Sequence, residues 1–345
     1  MSLQDSADRL PRSKFDTHLI PDRLAVASWH ESMNVLFDPR PHVGIDEGFH
    51  ARVDAALVGE LGVGRVEGSA QDFDRSRNKI ARDGMDGYLL QFYLAGKSAS
   101  RSGDAPATGP GDLYVIDMTQ PLMTRTSEHD QISIIVPRQR LAPSLNSPDD
   151  CHQRVLSAGL PLVSLLRDTL QNLFRQFDAM TVRDGELAAA PILALAAAAI
   201  NSQVTEQTAK GVELAGSAAI RRHIEDHLLD RKLTVETVMA QFGLSRRTLY
   251  RMLEPHGGFA SYVAGRRLRR ARDTLRSPDG QSIAIADLAR SHGFLNPEHF
   301  SRAFRREFGL APRQLRDLAT SGNGTHAAPA ATDSDWSSWI AQIGG

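Results

Sequence analysis

The sequence predicts a multidomain α+β protein, with a β-rich amino-terminal domain carrying appended helices and an all-α module at the carboxy-terminal end. Three observations predict it. Between Leu24 and Leu141 short apolar runs are broken by glycine and proline at strand spacing. From Asp149 onward apolar residues recur every three or four positions, the helical period. Basic residues crowd into one late stretch, and 345 residues are enough for about two cores.

The expected order is a disordered polar tail over 1–20, a β domain over 21–145 and a helical packing or dimerisation segment over 146–204. A linker over 205–217, a helical module over 218–318 and a second disordered tail over 319–345 follow, with Trp336, Trp339 and Ile340 the residues of that tail able to dock. In the β domain the clearest strands are Leu61–Val66, Tyr88–Leu94, Leu113–Ile116 and Ile132–Val136. Gly96–Asp112 makes an excursion that returns through a turn at Gly109, Pro110 and Gly111, spacing that suits a barrel or a sandwich. Beyond it, Leu162, Leu165, Leu166, Leu170, Leu173, Phe174 and Phe177 form one helical stripe, and a second helix is expected from about Asp184 to Gln203. Either stripe serves as domain core or contributes to a dimer face.

Composition excludes several classes. The longest apolar stretch, Leu187–Ile200, has fourteen residues with Pro191 inside it, short of the roughly 18–20 a membrane span needs. The opening MSLQDSADRLPRSKFD lacks the apolar core of a secretory signal, so a cytoplasmic location with no membrane partner is expected. The single cysteine, Cys151, can form neither an internal disulfide nor a cysteine-based zinc site, and it receives no role.

The net charge of −1 conceals an asymmetry. Residues 1–210 hold 21 Lys and Arg against 27 Asp and Glu, whereas residues 211–320 hold 19 against 12. Eighteen of those 19 are Arg, the side chain that forks onto phosphate and guanine. Charge alone leaves open whether these are solvated helix faces or a nucleic-acid surface.

The spacing of the helical module decides further. In LTVETVMAQFGLSRRTLYRML, Leu233–Leu253, Thr234 caps a helix whose apolar face is Val235, Val238 and Met239. Gly243 sits where a tight turn needs a left-handed residue, and Ser245 caps a second helix with Leu249 and Met252 facing inward. Arg246, Arg247, Tyr250 and Arg251 are then displayed outward, as a helix entering the DNA major groove requires. The pattern returns fifty residues on, at Gly293, with Ile285, Leu288 and Ala289 inward and Asn296-Pro297 opening the next helix. Phe300, Ala303 and Phe304 pack inside, leaving Glu298, His299, Ser301, Arg302, Arg305 and Arg306 available. Val263, Ala264, Leu268, Ala271 and Leu275 predict one stiff helix between the two units.

Four phrases, GLSRRTLYRML, the pattern Y-V-x-x-x-R-x-L-x-x-A from Tyr262, IADLARSHGF and HFSRAFRREFGLAPRQLR, closely resemble the AraC/XylS family of transcription regulators over about a hundred residues. One departure is Met239, which stands where the family usually has alanine, four residues before the turn glycine. It predicts a slightly wider packing of the first two helices. The resemblance implies base-edge contacts by Arg247, Tyr250, Arg251, Pro297, Glu298, His299 and Arg302. It places Ser245, Arg246, Asn296 and Ser301 nearer the phosphates, with Arg305 and Arg306 beside them. Glu298 either accepts from cytosine or complements its helix N-terminus. Arg266, Arg267, Arg269 and Arg270 are either DNA contacts or solvated and paired charges.

Residues 24–141 are similar to the cupin-like β-barrel that binds effectors in some members, on DGYLLQFYLAGKSAS, GPGDLYVIDMTQPL and ISIIVPRQRL. This implies a ligand-responsive regulator, an activator of a catabolic or metabolic operon. Its expected partners are double-stranded promoter DNA, a small-molecule effector, RNA polymerase and a second copy of the chain. His30, His42, His50 and His129 are scattered with no H-x-H pair, so neither a metal nor a cofactor nor catalysis is expected. Trp29, Arg77, Tyr93 and His129 are the candidate effector contacts; the alternative places Trp29 and Tyr93 in the core and Arg77 and His129 at strand-end surfaces.

Overall fold

The computed structural model describes residues 9–43, 48–103, 105–202, 219–230, 232–277, 280, 282–322 and 339–340. The expected linker lies outside the described residues. The chain divides into two compact units, one of residues 1–76, 85–203 and 327–345 and the other of 77–84 and 204–326.

The first unit is built on antiparallel strands. A seven-stranded sheet runs in the order β1 (Arg12–Asp16), β3 (Ala51–Val58), β4 (Leu61–Gly68), β10 (His129–Pro137), β6 (Gly87–Ala95), β8 (Leu113–Asp117) and β11 (Arg154–Leu156). A four-stranded sheet runs β2 (Asp38–Pro41), β5 (Gln71–Arg75), β9 (Leu122–Thr126) and β7 (Ser98–Ser100). Because successive side chains alternate faces, β10 serves two cores at once. Ile132, Ile134 and Val136 pack with Leu90, Phe92, Val115 and Leu141 of the short α3 (Arg138–Leu141), beneath helices α4 (Pro161–Gln176) and α5 (Val182–Asn201). Ile135 turns the other way, with Leu89, Ile116, Phe73 and Trp29.

All four expected strands are present as β4, β6, β8 and β10. Two expectations need correction. Arg12–Asp16 is not a disordered tail: it pairs with Arg52–Ala56 of β3, burying Phe15. Asp22–Met33 is a helix, α1, set against the second core through Ala25, Trp29 and Met33. Short alternating or mixed segments carry too little apolar period to distinguish the two states. At the far end of the chain, Ile340 is buried in the same core.

Helix α5 begins two residues earlier than expected, because Thr181 and Asp184 form a reciprocal cap: the Asp184 N–H donates to Thr181 Oγ1, and the Thr181 N–H donates to the Asp184 carboxylate. It continues through Pro191 to twenty residues. By length and composition it could cross a membrane, but its Ala189, Ile192, Ala196 and Ile200 are core residues of the β unit. On α4, Val163, Leu166 and Leu170 form the buried stripe, whereas Leu165 is 53 % exposed.

The second unit has two small cores joined by one helix. The first core takes Ile220 and Ile224 from helix α6 (219–226), Val238 from α7 (Val235–Phe242), and Leu249 and Leu253 from α8 (Arg246–Leu253). The second takes Leu288 and Ala289 from α10 (Ile285–Ser291), Phe300, Phe304 and Phe308 from α11 (Pro297–Phe308), and Leu315 from α12 (Pro312–Gly322). Helix α2 (Arg77–Asp83), which groups with this unit, adds Ala81. Between them α9 (Phe259–Arg276) gives Phe259, Tyr262 and Val263 to one core and Leu268, Ala271 and Leu275 to the other. A helix of that length spans about 27 Å at 1.5 Å per residue, so it acts as a rigid spacer.

Candidate DNA-binding surface and effector cavity

Each helix pair of the second unit is set by its caps. Thr234 Oγ1 accepts from the Thr237 N–H, opening α7, and the left-handed Gly243 (φ +64°) closes it by donating to the Met239 carbonyl. Ser245 Oγ then accepts from the Thr248 N–H and opens α8. In the second helix pair Asn296 Oδ1 accepts from the N–H groups of both Glu298 and His299, at 2.8 and 3.2 Å, with Pro297 as first helical residue. The caps satisfy N–H groups in the first turns of α8 and α11, and Ser245, Arg246, Asn296 and Glu298 at these ends are exposed. Buried Leu249 and Leu253 anchor the back of α8, and buried Phe300, Phe304 and Phe308 anchor that of α11.

On the opposite faces Arg247, Tyr250 and Arg251 are exposed, as are Glu298, His299, Arg302, Arg305 and Arg306. Pro297 and Ser301 are half-buried. The structure thus brings the sequence-predicted residues together as two displayed clusters, one per helix. Their neighbours differ in readiness. Arg246 pairs with Glu236, tying α8 to α7. The Ser301 hydroxyl donates to the Pro297 carbonyl at 2.9 Å, which commits its proton. Asn296 uses its oxygen for capping, leaving its amide N–H groups as the donors it can offer outward.

Of the four linker-helix arginines weighed as DNA contacts, Arg266 and Arg267 have structural partners. Arg266 pairs with Glu225, and Arg267 donates to the Leu228 carbonyl at 2.8 Å. Arg270 is exposed and Arg269 half-buried. Met239 and Ala289, four residues before their turn glycines, differ in burial: Ala289 is fully buried, Met239 half-buried at the edge of its core.

The first unit contains a cavity between its two sheets. Its walls come from Met33, Leu36, Phe37, Val53, Phe73, Leu89, Tyr114, Ile116, Leu122 and Ile135, with Gly62, Gly64 and Val66 of β4. Gln91, Tyr93, Thr124, Gln131 and Ser133 supply polar groups. Of the four effector candidates, Tyr93 lines this cavity. His129 lies beside it, its ring 6.1 Å from Phe73 and 6.4 Å from Tyr93. The strand-end surface reading of His129 is therefore corrected: only 4 % of it is exposed, and burial lowers its imidazole pKa against the opposing bond to the Ser127 carbonyl. Trp29 is a core residue whose Nε1 donates to Gln71 Oε1 at 2.7 Å. Arg77 belongs to the second unit, exposed on α2, and is not part of the cavity. Among the described residues, no three His, Cys, Asp or Glu side chains converge as a metal site.

Gln91, Gln131 and Ser133 escaped the reading of the sequence. The usable signal was in HDQISIIVP: Gln131 and Ser133 flank Ile132 and share a strand face with His129 and Ile135, so polar groups fall on a face that the rest of the strand predicts to be buried.

A β domain enclosing a cavity, followed by two capped helix-turn-helix units on one bridging helix, defines a DNA-binding transcription regulator with a ligand-binding-type domain. Residues 35–201 match the AraC-binding-like domain and residues 238–317 match a helix-turn-helix domain. The chain belongs to the AraC/XylS family of transcription regulators. It is 27 % identical over 294 residues to the transcriptional activator NphR of a Rhodococcus species, covering 81 % of this chain and 82 % of that one. Over 95 residues it is 40 % identical to the HTH-type transcriptional activator RhaS of Escherichia fergusonii, a match spanning 27 % of this chain and 33 % of RhaS. The fold is similar to that of the AraC-like transcriptional activator CuxR, with a TM-score of 0.51, 23 % identity and coverage of 81 % of this chain and all of that one.

Proposed function

We propose that the protein is a ligand-responsive activator of a catabolic or metabolic operon, working in the cytoplasm as a homodimer on promoter DNA and engaging RNA polymerase there. The supporting observation is the pairing of two capped, arginine-bearing helices across α9 with a separate unit that encloses a cavity. In this reading 21–145 binds the effector, 146–204 supplies the dimer face and 218–318 binds DNA. The exposed Leu165 and Leu187 on α4 and α5 are the apolar positions that favour a second copy there. No catalytic step is needed.

Arg247, Tyr250 and Arg251 of α8, and Pro297, Glu298, His299 and Arg302 of α11, meet base edges. Ser245, Arg246, Asn296, Ser301, Arg305 and Arg306 meet phosphates. Glu298 stands in the first turn of α11, where its carboxylate also complements the positive helix end. The effector acts by binding the active arrangement better than the inactive one, since equal affinity for both would shift nothing.

Footprinting and titration of the full chain on DNA upstream of its own gene and its neighbours, at fixed salt, tests this. A promoter site should be preferred over random DNA by about a thousandfold or more. Equal affinity for both would make the protein an architectural DNA binder and overturn the proposal.

A further inference from the structure

The inward face of β10 carries a row of buried side chains that each keep one polar atom without a partner. His129, Gln131 and Ser133 alternate along one face of the strand, at 4, 4 and 8 % exposure. Among them His129 Nε2, Gln131 Oε1 and Ser133 Oγ have no hydrogen-bond partner. His129 Nδ1 donates to the Ser127 carbonyl, so Nε2 presents a lone pair. Such atoms are costly in an apolar interior, and three in a row on one strand call for something to bond to.

What they face sets the class of that partner. Gln131 and Ser133 line the cavity, and Ser133 stands across from Gly64 of β4 and Gln91 of β6. The absence of side chains at Gly62 and Gly64 keeps the floor open. Apart from Gln91 and Thr124 the remaining walls are aromatic and aliphatic, and no charged residue is among the described residues that line them. The buried cation closest in sequence, Arg75 of β5, donates to the Leu36 and Met118 carbonyls. A charged ligand would be buried there without a counter-ion, whereas an uncharged one needs only its polar edge satisfied. The cavity volume is about 40 Å³, above the roughly 10–15 Å³ needed to hold a water and below the roughly 150 Å³ of an apolar cavity that binds benzene, so a ring enters only as flexible lining side chains give way. A compact molecule suits it, with Met33 able to adjust.

We propose that the cavity takes an uncharged, largely apolar single-ring molecule that donates a hydroxyl or amide hydrogen to the row formed by Gln131, Ser133 and His129. This rests on the effector reading above and specifies its ligand class. Gln131 Oε1 is the principal acceptor, and Tyr93, Phe73 and Tyr114 form the walls for the ring.

Calorimetry and thermal shift on the full chain, with matched single-ring probes, test the assignment. Phenol, benzyl alcohol and benzamide should bind, toluene about tenfold more weakly, and benzoate and benzylammonium more weakly still. Gln131→Leu should abolish the preference for benzyl alcohol over toluene while leaving the apoprotein as stable as before or more so, because it removes an unpartnered buried polar atom. A fall in apoprotein stability would mean that Gln131 is structural. Charged probes binding as tightly as neutral ones, or an unchanged preference in Gln131→Leu, would overturn the class. If a charged probe both binds and alters promoter affinity, the class fails and the effector reading stands. If no probe binds, the class fails, and the effector reading is judged separately by the promoter titration above.

Discussion

Gly243 and Gly293 adopt the same left-handed backbone, φ +64° and +77°, each in the turn between the two helices of its unit. Their surroundings differ. A Cβ added at Gly243 would meet nothing within 4 Å, whereas one at Gly293 would approach the Arg267 guanidinium to 2.6 Å. Gly243→Ala should therefore cost only the backbone term, about 1–2 kcal/mol. Gly293→Ala should cost more, because it also disturbs the arginine that holds the Leu228 carbonyl. Urea midpoints of the two variants give the comparison, and equal losses would show that Arg267 yields freely.

Arg251 and Arg302 occupy the displayed faces of α8 and α11. Arg251→Ala and Arg302→Ala should each weaken binding to the preferred site about 10- to 100-fold and relax the base preference at one position. The two relaxed positions should lie about one turn of DNA apart. Affinity lost uniformly on all sequences would assign these arginines to phosphates instead.

His129 and His292 are both buried, one in each unit, and burial is the leading cause that lowers both pKa values below the ordinary 6.5. The backbone carbonyls of Ser127 and Leu288 oppose the shift without cancelling it. As pH falls through 6.5 the unfolded chain takes up protons that the native chain does not, so stability drops. The drop ends once pH passes below the lowered native values. Urea midpoints between pH 7.5 and 5.5, above the carboxylate range, should decline, and replacing both histidines should flatten the profile. A midpoint that rises on acidification would contradict the assignment.

Cys151 is buried beside Ser147, and burial pushes its thiol up to about 12. Since the thiolate is the reactive form, the native protein should resist thiol reagents at pH 8 and react fully in denaturant. Rapid native labelling would show that this part of the first unit opens readily.

The second unit was more legible than the first. Thr234, Ser245 and Asn296 cap helices in the structure as their spacing predicted, and Gly243 and Gly293 supply the left-handed turns. Caps and turn glycines act within four residues, so sequence displays them directly. The β unit depends on long-range pairing. β1 is joined to β3 across more than thirty residues, and nothing local in RSKFD announces its partner. For Trp29 the sequence left effector contact and core both open, and the structure gives the core position, with the indole taken up by Gln71 in a contact visible only in three dimensions. Conversely, the polar groups His129, Gln131 and Ser133 were on display and were obscured by the apolar run from Ile134 to Val136 that follows them.

The most direct test is selection of the full chain against a large pool of randomised duplexes at physiological salt. Two short conserved boxes about one helical turn apart should emerge, with guanine prominent where Arg251 and Arg302 dock. A pool that stays random after repeated rounds, from protein that remains folded, would contradict two-helix readout of DNA.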